Sequence, residues 1–183
     1  TPFSKIERTA GFGARVEVYG ENLDQCKTVA AKLAAESELT MVHPYDDPSI
    51  VAGQGTVALE LLEDAPDLDC IVVPIGGGGL ISGVATAAKA LKPDIEILGV
   101  QAAMYPSMLQ ALNGEPPTSG GETIAEGIAV KTPGQLTLEI VKRHVAGILL
   151  ADEPALEQAV MLLAEEAKLV VEGAGAAPLA AVL

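Results

Sequence analysis

The chain has no tryptophan, and its three tyrosines and two phenylalanines leave aromatics at 3% of 183 residues. Set beside abundant Ala, Val, Leu and Gly, that scarcity points to a layered α/β protein whose helices lie close on a sheet. Basic residues are also few: 11 Lys and Arg face 25 Asp and Glu, for a net charge of −14. With no basic patch to displace counterions from a phosphate backbone, nucleic acid is excluded as a partner. The two cysteines, Cys26 and Cys70, have neither CxxC nor metal-ligand spacing. They read as packing residues in a reduced, cytoplasmic compartment. No apolar run approaches the ~18 residues of a membrane span, and no charged stretch followed by an apolar signal core opens the chain, so a soluble protein without a membrane partner is expected. Internal repeats and low-complexity tracts are absent too.

What remains is a chain that is 49% hydrophobic, enough for one sizeable core or two small ones. Short β-branched runs at Ala14–Tyr19, Thr40–His43, Cys70–Ile75, Ile95–Gln101 and Gly147–Ala151 alternate with longer amphipathic stretches. This is the βαβ pattern of a mostly parallel, doubly wound α/β sheet with about seven helices on its two faces. Helix starts are expected at Asn22 with Gln25, at Asp47 with Pro48, and at Thr132 with Pro133 and Gln135. The stretch from Asn113 to Gly121, rich in Gly and Pro, reads as an exposed loop and a candidate lid.

The most informative run is Gly76-Gly77-Gly78-Gly79, between the apolar stretch Cys70–Ile75 and the helix-like Leu80–Leu91. Four glycines remove every Cβ from a strand-to-helix turn, so backbone N–H groups can approach an anion at the positive end of the following helix. Neither common nucleotide fingerprint fits. A dinucleotide G-x-G-x-x-G from Gly76 needs glycine at Ile81, and from Gly78 it needs one at Leu80. The P-loop spacing from Gly78 to Gly83 meets Val84 where the phosphate-binding lysine belongs, which disfavours nucleotide hydrolysis.

The stretch Val73 to Gly83 resembles the phosphate-binding loop of pyridoxal-phosphate enzymes of the tryptophan-synthase-β type, in the threonine dehydratase and serine racemase branch. Three further stretches match in order and spacing: His43-Pro44-Tyr45-Asp46-Asp47-Pro48 with Ala52 to Thr56, Thr123 to Lys131, and Val171-Glu172-Gly173-Ala174-Gly175. The resemblance implies that Gly76, Gly77, Gly78, Gly79 and Leu80 hold the cofactor phosphate through backbone N–H groups. It places Gly127 beside the pyridine ring and turns the Glu172 carboxylate toward the cofactor; the plain alternative for Glu172 is a solvated acid at a helix end. Tyr45 stands where threonine dehydratases tend to carry an aromatic and serine racemases an asparagine.

A divalent cation often binds an acidic residue after the next strand in this branch, but Gln101 stands there, so no metal is assigned. His43 reads as a structural residue ahead of a helix cap rather than a general base. Met104 and Met108, four apart, read as core or interface residues. Capping accounts for Asp46 and Asp47.

In the resemblance, the lysine that bonds the cofactor's aldehyde and the loop asparagine contacting its hydroxyl lie before Thr1, and the Ser or Thr at the pyridine nitrogen lies beyond Leu183. Lys89, Lys92 and Lys131 read as solvated or snorkelling side chains. The chain therefore reads as a fragment. Residues 1–46 would be the remainder of a smaller domain, and 47–183 a larger cofactor-phosphate-binding domain truncated at its C-terminal end. The intact enzyme would convert L-threonine or L-serine to a 2-oxo acid and ammonia, water being lost in the elimination and returned in hydrolysis, with an amino acid as substrate and a homo-oligomer or a complementing chain as its assembly. The alternatives are a racemase or β-replacement synthase of the same fold, or a non-catalytic phosphate-binding or assembly module. On its own the chain is expected to be inactive.

Overall fold

A computed structural model describes residues 3–20 and 23–183. The chain forms two compact units, Thr1–Val42 and His43–Leu183. The first holds helices α1 (Phe3–Gly11) and α2 (Leu23–Glu36). Asn22, the expected cap of α2, lies outside the described residues. The strands expected at 14–19 and 40–43 are not strands: both segments run without regular structure. They have β-branched character, but a strand exists only in a ladder, and none of the described residues pairs with them. Val18 and Val42 are accordingly left exposed.

The second unit runs α3 (Pro48–Asp64), β1 (Cys70–Pro74), α4 (Gly79–Leu91), β2 (Glu96–Ala102), α5 (Ser107–Asn113), a short 3-10 turn at Glu126–Ile128, α6 (Gln135–His144), β3 (Gly147–Ala151), α7 (Glu153–Glu165) and α8 (Gly173–Ala180). The strands are parallel in the order β1-β2-β3, with Cys70 opposite Glu96 and Leu98 opposite Gly147. Parallel neighbours need a crossover, and α4 supplies the one between β1 and β2.

The alternation of side chains along the strands separates two cores. Ile71, Val73 and Ile75 of β1 and its end, with Ile97 of β2, face α3, α4 and Val141 of α6. Val100, Ala102 and Ala151 face Leu156 and Ala159 of α7 and Ala176 and Ala177 of α8. The sheet is thus covered on both faces, as its near-continuous apolar strands require. Helices α3 and α4 approach so closely that a methyl on Gly83 would stand 2.4 Å from the Val51 carbonyl oxygen.

Two helix starts are informative. At α3, the Asp47 carboxylate accepts from the N–H groups of Ser49 (2.8 Å) and Ile50 (3.2 Å), with Pro48 in the first turn. At α6 the expected cap Thr132 is not used. The helix begins at Gln135 behind Gly134, and Asp46 accepts instead from the N–H groups of Gln135 (3.0 Å) and Thr137 (3.2 Å). The reason is spatial: a methyl on Gly134 would lie 2.1 Å from Asp46 Oδ1, so only glycine leaves room for that carboxylate. Met104 and Met108 do not share a helix either. Met108 is fully buried on α5, while Met104 precedes that helix and is 37% exposed. The loop from Asn113 to Gly121 is pinned at several points: Gln110 bonds both the N–H and the hydroxyl of Thr118, and Gly120 N–H donates to the Met104 carbonyl at 2.9 Å.

Candidate functional site

Strand β1 gives way to the glycine run directly after Ile75, whose N–H donates to Val100 O at 2.7 Å. Gly78 caps α4 in the left-handed region (φ +97°), and α4 has no side-chain cap. Among the described residues, the N–H groups of Gly76, Gly77, Gly78, Gly79 and Leu80 find no acceptor; the bonding of α4 begins with Ser82 N–H on Gly78 O at 3.0 Å. Gly77, Gly78 and Gly79 are buried. A buried donor left unpaired costs ~1–3 kcal/mol, so consecutive ones at the positive end of a 13-residue helix suit an anion with several acceptor oxygens. A phosphate fits that donor set.

The Cβ directions of these glycines are taken by protein, which refines the sequence argument. A methyl on Gly77 would stand 2.4 Å from the Tyr45 ring, and one on Gly79 3.0 Å from Tyr45 Cβ. On Gly78 it would meet Met108 Cε at 2.6 Å and Thr137 at 2.8 Å, and on Gly76 the Ile128 Cα at 3.2 Å. The run is glycine because neighbouring segments close on it, and the row of N–H groups is what they leave unsatisfied. Tyr45 is fixed in turn by its hydroxyl, which donates to Thr132 O at 3.0 Å, and by the edge of the His43 ring, with centroids 4.8 Å apart. His43 Nδ1 accepts from the N–H groups of Asp46 (2.7 Å) and Tyr45 (3.3 Å), which accounts for its place in the turn.

The other two sequence-predicted residues are neighbours. A methyl on Gly127 would lie 2.9 Å from Glu172 Oε1, and one on Gly76 would lie 3.4 Å from Gly127 O. Gly76, Gly127 and Glu172 therefore form one continuous patch. Glu172 is exposed at the N-cap of α8, and its carboxylate makes no cap bond. Sequence reasoning missed Thr137 and the part Asp46 plays at α6. The one available signal was Gly134, a residue without a side chain where a helix start wants a capping one.

Of Lys89, Lys92 and Lys131, two are held by backbone carbonyls outside this patch. Lys92 Nζ donates to Leu68 O at 2.6 Å and Lys89 Nζ to Pro93 O at 3.1 Å, and Lys131 is exposed. Gln101 is fully buried. Its Nε2 donates to Tyr105 O at 3.1 Å, and its Oε1 accepts from Leu109 N–H at 3.0 Å. An amide spent on the backbone in this way does not fit a hard cation, which takes several oxygen ligands.

A family model described as pyridoxal-phosphate dependent enzyme matches residues 1–183. The chain belongs to that family. It is 44% identical to an L-threonine ammonia-lyase of Thermotoga maritima, with 100% of this chain aligned to 46% of that protein. The crystal structure of T.th. threonine deaminase superposes with a TM-score of 0.91 at 38% identity, over 99% of this chain and 61% of the other. Maize serine racemase does so with a TM-score of 0.91 at 36% identity, over 97% and 56%. The chain spans about half the length of the curated relatives it matches. The family's cofactor carries one phosphate, and the donor row at Gly76 to Leu80 has the chemistry to receive it.

Proposed function

We propose that this chain supplies the phosphate-binding part of a pyridoxal-phosphate-dependent ammonia-lyase that converts L-threonine or L-serine to a 2-oxo acid and ammonia. The observation that carries the reading is the unpaired N–H row from Gly76 to Leu80, and the names of the relatives supply the reaction class. When bound, the cofactor supplies an electron sink for the carbanion left by loss of the substrate's α-proton. Gly76 to Gly79 and Leu80 hold its phosphate, and with it the position of the ring. Gly127 leaves room at the ring's side and Glu172 presents a carboxylate there. The cofactor-phosphate domain takes in the unit His43–Leu183, four residues more than the 47–183 expected from sequence, and Thr1–Val42 is part of a smaller one. The working protein is cytoplasmic and is a homo-oligomer or is completed by another chain; the unpaired Cys26 and Cys70 suit a reducing compartment.

The test is made on the full-length protein supplied with pyridoxal phosphate. Formation of 2-oxobutanoate from threonine or pyruvate from serine is expected; absence of both would sink the lyase reading. The same samples assayed for D-serine, and with an added thiol, separate racemisation and β-replacement. The racemase alternative draws support from the similarity to maize serine racemase. A non-catalytic binding module draws support from Lys89 and Lys92, whose ammonium groups are engaged on backbone carbonyls, and from the exposure of Lys131. Borohydride reduction followed by mass mapping decides that point: a labelled lysine excludes the module.

A further inference from the structure

The Gly77 carbonyl accepts two donors, Thr137 Oγ1 at 2.7 Å and Gly134 N–H at 3.2 Å. Both come from the start of α6. Thr137 is fully buried, and its own N–H is held by Asp46, whose carboxylate also takes Gln135 N–H. A trans peptide is planar, with C=O and N–H pointing to opposite sides, and none of the described residues has a cis bond. Tying the Gly77 oxygen to α6 therefore sets the Gly78 N–H in the reverse direction, within the unpaired row. It also polarises that N–H, because a carbonyl already accepting hydrogen bonds makes its peptide a stronger donor.

We propose that Thr137, fixed by Asp46, is a positioning residue for the cofactor phosphate: it aims and strengthens the Gly78 N–H without touching the ligand. This rests on reading the glycine run as the phosphate cradle. Asp46 lies 91 positions before Thr137 and adjoins Tyr45, which packs on Gly77. One turn therefore fixes both the ring beside the loop and the helix behind it.

The test compares pyridoxal phosphate with pyridoxal, which lacks the phosphate, on full-length apoprotein carrying Thr137→Val, Thr137→Ser or Asp46→Asn. Loss of the hydroxyl in Thr137→Val should weaken pyridoxal phosphate about tenfold while leaving pyridoxal unchanged, and should shift the 31P resonance of the bound cofactor. Thr137→Ser should restore both. Asp46→Asn, which keeps one acceptor, should give a smaller loss of the same selectivity, and it carries the test if Thr137→Val fails to fold. An unchanged preference and 31P shift in these variants would overturn the proposal. Wild-type protein that binds pyridoxal phosphate no tighter than pyridoxal would overturn the cradle reading itself.

Discussion

Gly78 and Gly114 make a matched pair that separates conformational cost from crowding. Both adopt the left-handed region, with φ of +97° and +70°, where an alanine costs about 1–2 kcal/mol. They differ in surroundings. A methyl on Gly114 meets no heavy atom within 4 Å, whereas one on Gly78 would come within 2.6 Å of Met108 Cε and 2.8 Å of Thr137 Cβ. Met108 and Thr137 are both fully buried, so neither can swing into solvent, and overpacking of that kind adds about 1–3 kcal/mol. Gly114→Ala should therefore cost about 1–2 kcal/mol and leave cofactor affinity intact. Gly78→Ala should cost about 2–5 kcal/mol and weaken the cofactor as well, because the displaced peptide carries one of the donor N–H groups. Denaturant unfolding of the two variants under identical conditions, followed by cofactor titration, measures both effects. Equal destabilisation would refute the claim that α6 and α5 pack tightly behind the loop.

Three further outcomes follow from the same geometry. Asp47→Ala removes an acceptor from two N–H groups at α3 and should cost about 1 kcal/mol in unfolding experiments, with Asp47→Asn nearly neutral. Gln101→Glu loses the Nε2 donor to Tyr105 O and buries a carboxylate, so it should destabilise by about 2–4 kcal/mol; thermal melts should recover as pH falls, since protonating the new acid restores a donor. Burial first, and the Glu96 carboxylate second, hold the Cys70 thiol above its usual titration range, and Glu96 lies directly across the ladder. A folded pKa raised in this way contributes stability that is present below the ordinary thiol range and is lost as pH rises through the folded value. Alkaline melting curves should show that loss, and Cys70→Ala should remove it.

The parallel sheet was legible because β1, β2 and β3 carry β-branched runs bounded by helical periods, and those patterns are local. The segments at 14–19 and 40–43 carry the same local pattern and form no strand, because a ladder depends on a partner that periodicity does not reveal. The capping of α6 failed for a related reason. Thr132 stands at the right spacing, but the carboxylate that does the work arrives from Asp46 through a tertiary contact, and Gly134 yields its place to it. For the candidate site, the run Gly76 to Gly79 announced a turn open to an anion, while the packing of Tyr45 and Thr137 around it is knowable only once α6 and the turn after His43 are brought together. The adjacency of Gly127 to Glu172 likewise joins residues far apart in the chain, which spacing alone does not place.

The central claim is that the backbone N–H groups of Gly76 to Leu80 receive the cofactor phosphate. Amide 1H–15N spectra of isotope-labelled full-length protein, titrated with pyridoxal phosphate and separately with pyridoxal, test it most directly. Large downfield shifts of the Gly76–Leu80 amide protons are expected with the phosphorylated compound alone. Saturation by pyridoxal phosphate with those resonances unmoved would contradict the account.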